Sequence, residues 1–117
     1  MPCPKTIKVG GQNIKLRRLK RFPKGDRIGD WSYEKQAIRI KDGLPPYVEL
    51  DTLAHEKLHA CLSVNGWQYM IGDHEEQLVT VLAGQLAQSM VDNPQFWKYL
   101  LGLAEAVDED SSSRHRD

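Results

Sequence analysis

The stretch Gln36-Ala37-Ile38-Arg39-Ile40-Lys41-Asp42-Gly43-Leu44-Pro45-Pro46-Tyr47-Val48-Glu49-Leu50-Asp51-Thr52-Leu53-Ala54 changes period half-way along. Up to Ile40 apolar and polar residues alternate, as in a half-buried strand. Beyond Pro46 the apolar residues Val48, Leu50, Leu53, Ala54, Leu58, Cys61 and Leu62 recur every three or four positions, as on one face of a helix. Pro46 suits a first helical turn and Asn65-Gly66 suits its end, which predicts a helix over about 46–64.

Upstream of this boundary the pattern stays two-residue. Thr6-Ile7-Lys8-Val9 and Asn13-Ile14-Lys15-Leu16-Arg17 flank Gly10-Gly11, a pair suited to a tight hairpin turn. A turn at Pro23 to Asp26 precedes Asp30-Trp31-Ser32-Tyr33, which alternates again. Downstream, Asp73 is a good N-cap for Leu78, Val79, Leu82, Ala83, Leu86, Ala87 and Met90, an apolar helix expected to cross the core over about 73–91. Asn93-Pro94 opens a third helix, about 94–106, with Phe96, Trp97, Leu100, Leu101, Leu103 and Ala104. The predicted fold class is therefore α+β: a small N-terminal antiparallel β-sheet (strands about 5–42) followed by three helices, in one domain over 1–107. A tail over 108–117 has nothing to bury and reads as disordered.

The chain of 117 residues, 40% hydrophobic and 27% charged with a mean hydropathy of -0.54, belongs with globular water-borne domains. No apolar run approaches a membrane span, and MPCPKTIKV has no signal-peptide core, so the expected location is cytoplasmic, with no membrane partner. Two cysteines, Cys3 and Cys61, are too few for a disulfide framework. The zero net charge is an uneven sum: residues 1–42 carry twelve Lys or Arg against four acids, a net +8, and residues 43–117 carry a net −8. The two halves attract each other, and the basic one offers a surface for nucleic acid or an acidic protein.

Within the first helix stands His55-Glu56-Lys57-Leu58-His59, the H-E-x-x-H pattern. Four residues make just over one turn, so His55 and His59 project from one face and can share a tetrahedral Zn²⁺ ion. Glu56, turned about 100° from His55, is placed to take a proton from an attacking water without being a ligand. A third ligand is needed, and Asp73-His74-Glu75-Glu76 offers three candidates. Glu76 precedes Val79, Ala83 and Leu86 on one stripe, and Glu75 precedes Val79, Leu82 and Leu86 nearly as well, so periodicity leaves the choice open. Asp73-x-x-Glu76 is also a capping box, which would turn Glu76 back to the backbone of Asp73. Asp51 and Asp73 are possible carboxylate partners for the histidines' second nitrogens.

His55-Glu56-x-x-His59 followed by Glu76-x-x-Val79-x-x-Leu82-Ala83 resembles the small gluzincin-type zinc metallopeptidases, compact phage and bacterial proteins described as SprT-like or minigluzincins. The resemblance covers about residues 28–90. It implies a zincin-like core with a short sheet before the motif helix, Zn²⁺ held by His55, His59 and Glu76, Glu56 as general base, and a peptide or protein substrate. Lys57 stands where such motifs carry an uncharged residue; about 200° from His55, it points to solvent. Tyr47, Tyr69 and His74 are candidates by type for holding an oxyanion, and the strand ending at Ile40 for pairing with an extended peptide. The alternative keeps the fold without catalysis: Lys15, Arg17, Arg18, Lys20 and Arg21 contact nucleic-acid phosphates, and the zinc is structural or vestigial.

Overall fold

In a computed structural model, which describes residues 2–23 and 25–109, a four-stranded sheet is followed by helices. The strands are β1 (Thr6–Val9), β2 (Gln12–Leu19), β3 (Gly29–Ser32) and β4 (Ala37–Lys41). The helices are α1 (Pro46–Val64), the single turn α2 (Gln68–Ile71), α3 (Glu75–Asp92) and α4 (Pro94–Glu109), with a 3-10 turn at Gly72–His74. None is long and apolar enough to cross a membrane among the described residues. By its contacts the chain forms two compact units, residues 1–87 and 88–117.

Gly10 and Gly11, both at positive φ (56° and 81°), close the two-residue β1–β2 hairpin, in which Val9 faces Gln12. Pairing across the sheet runs β1-β2-β4-β3. The β1–β2 and β3–β4 pairs are antiparallel, but β2 and β4 run parallel, with Leu16 opposite Ile38 and Arg18 opposite Ile40. The sheet is thus mixed, which corrects the antiparallel expectation. The chain leaving β2 at Leu19 skips one strand position before β3, and the turn after Ser32 returns β4 into the gap. The most apolar strand, with Ala37, Ile38 and Ile40 all buried, takes an interior position beside β2.

One sheet face packs on α1. Val9, Ile14 and Ile38 form the core with Ala60 of α1, supported by Ile7, Leu16, Trp31, Leu53, Cys61 and Val64. Helix α1 begins with Pro46 at N1; its last turn closes with the Asn65 N–H donating to the Cys61 carbonyl, and Gly66 follows. Arg18 at the end of β2 grips Glu49 in the first turn of α1 with two hydrogen bonds, 3.1 and 2.6 Å, and so pins the helix to the sheet. Gly29 sets the approach at the other edge: a Cβ there would lie 2.5 Å from Thr52 Cγ2 and 3.5 Å from Glu56 Cγ. Glycine in β3 therefore lets this strand lie directly over the middle of α1.

Only Val79, Ala83 and Ala87 of α3 are buried, whereas Leu78, Val81 and Leu82 are exposed. The expected core-crossing helix buries a narrow stripe of small residues instead. The stretch read as a plain linker after Gly66 holds α2, whose Tyr69 and Met70 are largely exposed. In the second unit, the Trp97 Nε1–H donates to Ser89 Oγ (3.1 Å), and the Asn93 N–H to the Ser89 carbonyl (2.8 Å), which fixes the bend before Pro94. Helix α4 takes in 108 and 109; the rest of the expected tail lies outside the described residues.

Candidate metal centre

Helix α1 presents His55 and His59 one turn apart, and the first turn of α3 brings Glu75 and Glu76 to them. Glu76 Oε1 lies 3.0 Å from His55 Nε2 and 2.7 Å from His59 Nε2, and the two ring nitrogens are 3.2 Å apart. Donors on a tetrahedral zinc with bonds of about 2.0–2.1 Å stand about 3.3 Å from one another, so the three atoms already sit close to that spacing. His55, His59 and Glu76 form a group that could hold a metal ion.

The other ring nitrogen of His59 explains which atom faces the group. Its Nδ1–H donates to Glu75 Oε2 at 2.5 Å, which leaves Nε2 to offer a lone pair toward His55 and Glu76. Both acidic residues at the start of α3 are therefore engaged, one against the shared centre and one behind His59. Asp73 lies in the 3-10 turn before α3, and the Glu76 carboxylate is turned to the histidines rather than back along its own helix. His74 is exposed in the same turn. Asp51 borders a neighbouring hollow of about 220 Å³ with Thr52, His55 and Glu56, and the carboxylate on His59 is Glu75.

The electrostatics suit a positive charge. Burial disfavours the charged form of His59, yet hydrogen bonds to Glu75 and Glu76 outweigh it and hold His59 above the ordinary histidine value. Burial pushes the Glu76 carboxyl up, but hydrogen bonding and attraction from His59 and His55 prevail and hold it below the usual carboxylate value. Glu56 behaves oppositely. Burial raises its carboxyl, Asp30 and Glu76 add to the effect, and the opposing pull of His55 and His59 does not cancel it.

These groups open into a cleft of about 380 Å³ walled by Arg27, Gly29, Asp30 and Trp31 on one side and by His55, Glu56, His59 and Glu76 on the other. Asp30 is clamped by its cross-strand partner Arg39 through Nε (2.8 Å) and Nη2, with Arg27 at 3.7 Å. The wall is β3 together with the residues just before it. Sequence reading did not single out Arg27, Gly29 or Asp30; a glycine inside an alternating strand was the available signal, because it marks a close approach of backbone to a neighbour. Tyr47, Tyr69 and His74 lie outside the cleft's lining. The edge of the sheet beside the cleft is β3, and the strand ending at Ile40 is interior. Comparison with protein-family models, with curated proteins and with solved structures gives no match for this chain.

Proposed function

We propose that this chain is a zinc-dependent peptidase of the small gluzincin type. The observation that carries the reading is the convergence of His55 Nε2, His59 Nε2 and Glu76 Oε1 beside a half-buried Glu56, with Glu75 behind His59. Two imidazoles and a carboxylate are a donor set that zinc accepts at catalytic sites, where a fourth position is left open. Zinc held there supplies Lewis acidity toward a carbonyl oxygen and brings the acidity of a water near neutral pH.

The chain's own groups would divide the remaining work. His55, His59 and Glu76 hold the ion, and Glu75 fixes the ring and tautomer of His59. Glu56, its basicity raised by burial, accepts a proton from the attacking water and returns it to the departing amine. Among the described residues the outer edge of β3 lies beside these groups without a strand partner, which supports binding an extended peptide by strand addition along Gly29–Ser32. Arg27 and Trp31 line the same wall. Two free thiols, Cys3 and Cys61, fit a reducing compartment such as the cytoplasm.

The test is cleavage of an unstructured protein such as casein by chain reconstituted with zinc. Cleavage should stop with a chelator, return with zinc, and be lost by a factor of about 10²–10⁴ in Glu56→Gln, which should still hold one zinc per chain. A zinc-loaded chain that cleaves nothing, or a Glu56→Gln variant as active as the parent, overturns the proposal.

A further inference from the structure

The face of the sheet opposite α1 is a cationic surface that the metal site does not use. Ile7, Val9, Ile14, Leu16, Ile38 and Ile40 point to the helix side, so strand alternation puts Lys8, Lys15, Arg17, Arg39 and Lys41 on the other. The loop residue Phe22 covers the β4 side of that face by stacking under the Arg39 guanidinium, 5.2 Å from centroid to charge. The β1–β2 side is left open, with Lys8, Lys15 and Arg17 exposed.

Two observations mark this side as built for a polyanion. Arg17 stands directly opposite Arg39, a like-charge pairing that costs stability, and the neighbouring acid, Asp30, is taken by Arg39. Among the described residues, Lys8, Lys15 and Arg17 have no ion pair, whereas Arg18, which shares the helix-side face, is held by Glu49. The overall net charge is zero, so attraction to a polyanion has to come from such a local face.

We infer that this open face, centred on Lys8, Lys15 and Arg17, binds the phosphate backbone of duplex DNA without regard to sequence. Alternate residues on β2 stand about 6.6 Å apart and neighbouring strands about 4.8 Å, a regular cation lattice suited to repeating phosphates. Protein partners are gripped by buried aromatic or aliphatic anchors, and none of the exposed large hydrophobic residues lies on β1, β2 or β4. Single strands are held by exposed aromatic stacking platforms, and among the described residues the aromatic ring on this side, Phe22, is buried under Arg39. The inference does not depend on the metal centre.

The test is fluorescence anisotropy of a short random-sequence DNA duplex titrated with the full chain at several salt concentrations. Contacts from these three cations predict a slope of log affinity against log salt of about −2.7. Lys15→Gln with Arg17→Gln should lower affinity at least tenfold at low salt and make the slope shallower by about 2. The pair Lys57→Gln with Lys98→Gln, which removes the same charge from α1 and α4, should change affinity less than about twofold; circular dichroism checks that both variants fold. Absence of binding at low salt, or equal losses in the two paired variants, overturns the inference. Tighter binding of a single strand overturns the duplex assignment, and binding of polyglutamate as tight as that of DNA reassigns the face to acidic proteins.

Discussion

His59 Nδ1 lies 2.5 Å from Glu75 Oε2, so the residue after that glutamate is left to meet the face of the histidine pair. Adjacent carboxylates thereby take different work: Glu76 reaches the Nε2 atoms and Glu75 orients a ring. Substituting them should separate the two roles. Glu75→Gln is expected to weaken zinc binding by about 10–100-fold while leaving one site per chain. Glu76→Gln should weaken it further, by loss of a ligand. Competition titration against a chromogenic chelator measures both, and equal effects would contradict the division.

Glu56 predicts a trade between stability and chemistry in the metal-free protein. Burial raises its carboxyl value in the folded state above the unfolded value, so below the unfolded value, about 4.3, both states are protonated and folding carries no penalty. As pH rises through the folded value the native state binds more protons than the unfolded one, and stability falls. Glu56→Gln should therefore melt a few degrees higher than the parent at pH about 7.5, and the difference should vanish near pH about 4. Thermal melts of the chelator-treated protein at the two pH values check this. A variant less stable at neutral pH would refute it.

Gly29 makes a steric prediction. Gly29→Ala puts a methyl group against Thr52 Cγ2 and should cost about 1–3 kcal/mol by overpacking. Thr52→Ser deletes the opposing methyl and keeps the hydroxyl, so the double variant should recover most of the loss. Urea unfolding of the four members of the cycle measures the coupling, which should be favourable and larger than the error of the extrapolation.

Arg18 and Glu49 join the end of β2 to the first turn of α1, and both side chains are about one-quarter to one-third exposed, at 35% and 26%. A two-pronged pair in that setting should couple by about 0.5–1 kcal/mol at low ionic strength, with less at high salt. A double-mutant cycle with Arg18→Met and Glu49→Gln, repeated in concentrated sodium chloride, gives the value.

How far the sequence could be read depended on whether a signal was local. Pro45-Pro46 and Asn65-Gly66 punctuate α1, and the histidines one turn apart follow from helix geometry, so these were legible. The parallel pairing of β2 with β4 was not, because it joins residues about twenty positions apart and alternation says nothing of strand order. In α3 large apolar residues occur nearly all round the helix, so the pattern did not reveal that the stripe of Val79, Ala83 and Ala87 is the buried one. Glu75 and Glu76 both fitted the helical period, and only the direction of two side chains separates them.

The candidate ligands all come from α1 and the start of α3, whereas the wall facing them comes from the segment Arg27–Trp31 and is placed by a sheet whose interior strand β4 comes last in the chain. On the proposed function, holding the ion would be a short-range property of the chain, and selecting a substrate a long-range one. Changes in the strands would then reshape what enters the cleft while the candidate ligands stay in place, so metal content alone would be a poor guide to whether a variant still cleaves.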